Sequence, residues 1–189
     1  SMKNLILLLL FSFSLLASVG KITYLKGDVT LTNANVVKTD IEVGTPINKG
    51  DTTTTEQSSV VKIVFDDLTL VAVGSRSDFS VEEYLFDEQS DKNRALFSAK
   101  KGIFKMLTGK IGKLAPKKFK LKTETSTIGI RGTIFSAILE KNQEIFICDK
   151  GEICVKSVGV SQNIKAGYSS TVIKGKGPRK PIKTDRKST

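Results

Sequence analysis

The chain has 189 residues, with 30 basic and 19 acidic side chains, a formal net charge of +11, two cysteines, no tryptophan and no histidine. Without histidine the commonest general base and the commonest metal ligand are missing, so a His-based triad and a His-containing zinc site are excluded. Two cysteines alone cannot complete a four-ligand zinc site, and no metal or cofactor is expected. The length suits one domain with a real core and a short tail.

The N-terminus reads as a cleavable secretory leader over residues 1–20. Lys3 supplies a positive start, an apolar run follows over 5–16, and small residues stand at Ala17, Ser18 and Gly20. The run is shorter than the roughly 20 residues that span a membrane. Cleavage after Ala17 and cleavage after Gly20 both fit. The expected destination is the periplasm.

Strand signals dominate residues 21–173. The face Val61, Ile63 and Phe65 alternates with Lys62, and after Asp66-Asp67 a second β-rich run covers 68–73, which predicts a hairpin. The same grammar predicts hairpins over 22–32, turning at Lys26-Gly27-Asp28, and over 145–158, turning at residues 149–152. Further strands fit 101–107, 119–123, 134–139 and 169–173, and an exposed loop is expected to follow a strand in 77–91. One or two short helices fit near 94–99 or 110–115. Gly27, Gly50 and Gly74 are 23 and 24 residues apart, the length of one coil in a stacked β architecture. An all-β, β-solenoid-like stack of hairpins is therefore expected. The basic tail 174–189 has little to bury and is expected to be disordered.

The charge is segregated along the chain. Residues 21–91 carry six basic and thirteen acidic side chains, whereas 92–122 carry eleven basic and no acidic ones. Lys100, Lys101, Lys105, Lys110, Lys113, Lys117 and Lys118 form a candidate anionic-surface patch, for peptidoglycan carboxylates or anionic lipid. The alternative is that these lysines solvate strand faces and edges. Export removes nucleic acid as a normal ligand. Cys148 and Cys154 are either two buried apolar side chains or a disulfide across the 149–152 turn.

The densest motif runs from Phe119 to Phe135. It reads as a strand, a compact turn with Gly129 and Gly132 three apart, then a second strand. Between the glycines Arg131 presents a rigid fork of donors. It either pairs internally or projects as a recognition contact, and neighbouring Ile130 and Ile134 favour the paired reading. This stretch resembles the FecR domain, whose free-standing members carry the Thr-Ile-Gly-Ile-Arg-Gly-Thr sequence found here from Thr127 to Thr133. Asn48-Lys49-Gly50-Asp51, Phe65-Asp66-Asp67-Leu68-Thr69, Gly102-Ile103-Phe104, Lys150-Gly151-Glu152 and Lys165-Ala166-Gly167 resemble its other landmarks, in the same order. Asp67 stands where that family commonly has glycine.

The resemblance implies a non-catalytic module that senses or scaffolds through protein contacts in the cell envelope. Its transmembrane members are anti-sigma regulators with a cytoplasmic arm. Only Met2, Lys3 and Asn4 precede the apolar run here, so an unidentified envelope protein is the expected partner, without direct sigma-factor contact. An anionic-surface binder using residues 92–122 is the alternative, and a hydrolase the more distant one. The paired acids Asp66-Asp67 and Glu82-Glu83 are the candidate carboxylate clusters, and neighbours on a strand point to opposite faces. The Gly129–Gly132 spacing also matches a nucleic-acid-clamping loop, but that loop joins helices and β-branched runs flank this one.

The leader yields a direct test. N-terminal sequencing of protein recovered from the envelope fraction should start between Ser18 and Ile22. An intact leader on soluble cytoplasmic protein would overturn the assignment.

Overall fold

The computed structural model describes residues 17–185, and most of the expected leader lies outside them. Of the described residues, strand accounts for 60% and helix for 5%, the all-β class expected. The first strands are β1 (Ser18–Lys26), β2 (Val29–Asn33), β3 (Val36–Lys38), β4 (Pro46–Asn48) and β5 (Thr52–Thr55). Then come β6 (Val60–Phe65), β7 (Leu70–Val73), β8 (Asp78–Leu85) and the long β9 (Arg94–Leu107). After helix α1 (Lys110–Leu114) and a 3-10 turn (Pro116–Lys118) follow β10 (Phe119–Lys122), β11 (Thr127–Leu139) and β12 (Gln143–Ser157). β13 (Val160–Lys165), β14 (Tyr168–Ile173) and β15 (Ile182–Lys183) complete the order. Of the two predicted helix positions, 110–115 holds α1. Residues 94–99 instead begin β9, because Ala95, Phe97 and Ala99 point inward with the period of a strand.

Hydrogen bonds join every strand into one sheet, which folds back into two layers. One layer runs β4-β1-β6-β7, then the second part of β9, the second part of β11, the first part of β12, β14 and β15. The other runs β3-β2-β5-β8, then the first parts of β9, β10 and β11, the second part of β12, and β13. The core lies between them. Phe97 of the second layer meets Phe65 of the first with ring centroids 4.9 Å apart, and it also touches Phe79 and Phe119.

β9, β11 and β12 each belong to both layers, so each turns a corner. At each corner two adjacent residues face outward: Lys100-Lys101, Arg131-Gly132 and Lys150-Gly151. The inward set shifts by one as a result, as at a β-bulge. In β11 it changes from Ile128 and Ile130 to Thr133, Phe135 and Ala137. The corner glycines are needed. Gly102 has φ +114°, and a Cβ there would lie 1.8 Å from the Ser77 hydroxyl. Gly151 has φ +74°, and a Cβ there would lie 2.1 Å from the Gly132 carbonyl oxygen.

These corners correct three sequence expectations. Residues 149–152 are a corner within β12 and not a hairpin turn. Gly129 and Gly132 lie within one bent strand, β11. β1 pairs with β4 and β6, not with β2 across Gly27. Glycine beside polar residues suits a turn and a corner equally, and only the hydrogen-bonding neighbours decide. The tail also departs from expectation. β15 pairs with the start of β14, the Arg179 amide donates to the Thr171 carbonyl at 3.0 Å, and Pro178 is buried. Backbone hydrogen bonds to a free sheet edge, together with the buried Pro178, hold this segment.

The predicted β6–β7 hairpin forms, with Val61 opposite Val73 and Val64 opposite Leu70. Its turn holds a fully buried carboxyl, Asp67. Oδ1 accepts from the Thr69 amide at 3.1 Å and the Tyr84 hydroxyl at 2.8 Å. Oδ2 accepts from the Thr69 hydroxyl at 2.8 Å and the Ile111 amide at 3.0 Å. The Lys110 amide donates to the Asp67 backbone carbonyl at 2.8 Å. One side chain thus ties a turn of the first layer to β8 of the second and to α1, which closes the end of the core with Ile111.

Asp67→Ala strands several of these buried donors at once and should cost about 3–5 kcal/mol in urea unfolding, with Asp67→Asn intermediate. A loss below about 1 kcal/mol would contradict the anchoring role.

Burial, then the charge of Asp67, holds the Tyr84 phenol above its ordinary range. The unfolded chain releases that proton near pH 10 while the native state keeps it, so native protein binds more protons there. Stability should therefore fall as pH rises past about 10, and Tyr84→Phe should flatten that fall. Parallel slopes for the two proteins would contradict it.

Candidate functional site

A groove of about 440 Å³ opens on the outer face of the second layer. Strand register builds it. Lys120 of β10 lies opposite Gly129 of β11, which lies opposite Cys154 of β12. In the next outward row Arg131 lies opposite Glu152. Pro116 and Lys117, from the turn after α1, form one wall. Because Gly129 has no side chain, Lys120 occupies the space above it, its ammonium 3.3 Å from where a Cβ would sit.

Arg131 is exposed, which overturns the expectation that it is buried and paired. The corner explains this. Arg131 and Gly132 take the two outward places, so Ile130 and Thr133 take the inward ones. Thr133 is 3% exposed and clasps Thr108: its amide donates to the Thr108 hydroxyl at 3.0 Å, and the Thr108 amide donates to its carbonyl at 3.0 Å. The Arg131 amide donates to the Thr133 hydroxyl at 3.2 Å. Thr127 stands on the outer face between Lys122 and Lys156.

The predicted lysine patch does not form one surface. Lys101 pairs with Asp78 at 3.9 Å, and Lys110 pairs with Glu88. Lys105 lies in an outward row of the first layer, between Ala72 and Ser136. Lys100 sits at the β9 corner. Lys113, Lys117 and Lys118 stay together around α1 and the turn after it, beside the groove. Among the described residues no ion pair involves Lys117, Lys120 or Arg131.

Cys148 and Cys154 are both free and lie on one strand, β12, so they cannot face each other across a hairpin. Cys148 points into the core, and its thiol donates to the Lys150 carbonyl at 3.4 Å. Burial, then Asp149 and Glu152, push that thiol up from its ordinary range. Cys154 faces the groove.

The paired acids serve the fold. Asp67 is the buried anchor, and Asp66 is exposed at the same turn, its carboxyl raised by partial burial and by Asp67. Glu82 and Glu83 both face solvent, because a bulge between Val81 and Glu83 breaks the alternation expected of them. Glu82 accepts from Ser98 at 2.6 Å, and Glu83 pairs with Arg94 at 3.1 Å. No group of three metal-ligating side chains comes together among the described residues. The sequence marks neither Lys120 nor Glu152 as a candidate site residue, although Glu152 lies in one of the family-like landmarks. The signal for both was strand pairing, which puts Lys120 opposite Gly129 and Glu152 opposite Arg131.

A family model described as FecR protein matches residues 51–175, which include the whole groove. The strands before Asp51 lie outside that match, yet β1 pairs directly with β6 inside it. Two crystal structures of a candidate anti-sigma factor from Parabacteroides distasonis ATCC 8503, at 1.65 and 2.50 Å, share this fold with a TM-score of 0.54 and 13% identity. The match covers 71% of this chain and 59% of that one, and at such identity it speaks for fold alone. No curated protein matches the chain. From its matched span, the chain belongs to the FecR protein family.

Proposed function

We propose that this protein is an exported, non-catalytic interaction module that senses or scaffolds in the cell envelope, contacting a partner protein at the Lys117–Lys120–Arg131 groove. FecR family membership supports a regulatory envelope role. The observation that carries the reading is how charge is distributed. Asp51, Asp67 and Glu144 are buried and hydrogen-bonded into turns, while the cations around the groove have no ion pair among the described residues. A flat anionic surface is less well served, because the predicted patch is divided between several faces.

The start of β1 supports removal of the leader after Ala17. Ser18 lies opposite Asn48, and the Val19 carbonyl accepts the Asp66 amide at 2.9 Å. A cut after Gly20 would delete these contacts. No helix among the described residues is long and apolar enough to cross a membrane.

Arg131→Ala should unfold within about 0.5 kcal/mol of the wild type, because the side chain is exposed and has no ion pair among the described residues. In capture from the native envelope fraction it should retain markedly less partner. An unchanged set of captured proteins would contradict the assignment of the contact to this groove.

A further inference from the structure

We infer that the groove recognises a carboxylate on a short, otherwise apolar peptide segment, with Arg131 and Lys120 as the anion contacts and Glu152 limiting the charge accepted. The inference rests on reading the protein as an interaction module and gives that contact its chemistry.

Three cations line the groove and one carboxylate stands among them. The cations are set on rigid elements: Lys120 on β10, Arg131 at the β11 corner, and Lys117 in the turn braced by α1. None is engaged in an ion pair among the described residues, so an incoming anion displaces no internal partner. The planar guanidinium of Arg131 suits two-point contact with a carboxylate. Pro116 supplies an apolar wall for the neighbouring side chain.

Glu152 offsets part of the attraction of the three cations and so weighs against the more highly charged anions. It lies directly opposite Arg131, so a ligand at Arg131 also meets its negative charge. A dianionic phosphate is repelled there more than a monoanionic carboxylate. Concavity argues the same way. A groove of about 440 Å³ admits a side chain and its carboxylate but not the flat face of a bilayer. Cations continue past the groove: Lys165 lies opposite Glu152, and Lys122 and Lys156 flank Thr127 on the same face. A peptide lying across these strands stays in a positive field.

The test is an amide NMR titration of the mature chain with blocked hexapeptides. One carries a single glutamate among apolar residues. A second carries glutamine there and a free C-terminal carboxylate, and a third carries glutamine and is fully neutral. Inorganic phosphate and vesicles of anionic phospholipid complete the set. Either carboxylate peptide should shift the amides of Gly129, Arg131 and Cys154, and the stronger one names the source of the carboxylate. Arg131→Gln and Lys120→Gln should each weaken that binding about tenfold or more at unchanged melting temperature. Glu152→Gln should tighten it. Equal binding of the neutral peptide, stronger binding of phosphate or vesicles than of either carboxylate peptide, or unchanged affinity in Arg131→Gln would overturn the inference. Unchanged or weaker binding in Glu152→Gln would overturn the role given to that residue. If Arg131→Ala loses its envelope partner while no carboxylate peptide binds, the carboxylate inference fails and the interaction module stands. If the peptides bind but capture is indifferent to Arg131, the module reading fails instead.

Discussion

A carboxyl group taken fully out of water, with no cation beside it, must have its lone pairs occupied by donors. Asp67 meets that demand with two amides and two hydroxyls, drawn from its own turn, from β8 and from α1. Those donors lie up to 44 residues from Asp67 along the chain, so they can converge only when both layers and the closing helix are in place. The Gly109 amide extends the same cluster by donating to the Thr69 hydroxyl at 3.0 Å. The position of α1 then fixes the turn at Pro116, and that turn forms one wall of the groove. The placement of Lys117 therefore traces back to a buried aspartate on the other layer.

The same use of acids recurs. Asp51 accepts from the Asn33 side chain and the Asn48 amide, both at 2.8 Å, and closes the turn between β4 and β5. Glu144 accepts from the Thr123 and Thr125 hydroxyls, both at 2.7 Å, and fastens the turn between β10 and β11. Other acids pair with the basic segment where β8 meets β9, through Glu83–Arg94 and Asp78–Lys101. The strong charge segregation along the sequence is thus partly cancelled in space. Lys117, Lys120 and Arg131, at the groove, have no ion pair among the described residues.

The sequence made some of this legible and hid the rest for a definable reason. Alternation and β-branching were enough for β6 and β7, because those signals are local, whereas the helix had two candidate positions and only 110–115 holds one. The corners at Gly102, Gly132 and Gly151 were not separable from hairpin turns, since both need glycine and polar neighbours. Reading 149–152 as a turn also produced the idea of a Cys148–Cys154 bridge, and one bent strand removes it. Arg131 was drawn inward by its apolar neighbours in the linear reading. The one-residue shift of the inward set at its corner turns it outward. Asp67 registered as a turn residue, one of a pair of acids and a departure from glycine, but not as an anchor, because its partners Tyr84 and Ile111 are distant in sequence.

The fold is therefore a scaffold in which three buried acids anchor turns and three cations with no ion pair among the described residues meet at one concave site. Site-specific photo-crosslinking in the native envelope tests that claim most directly, with the reactive side chain at Lys117 beside the groove or at exposed Val36 on the distant β3 edge. The account predicts a discrete protein adduct from Lys117 that vanishes when Arg131→Ala is added, and no such adduct from Val36. Equal adducts from both positions, or an adduct from Lys117 indifferent to Arg131, would contradict it.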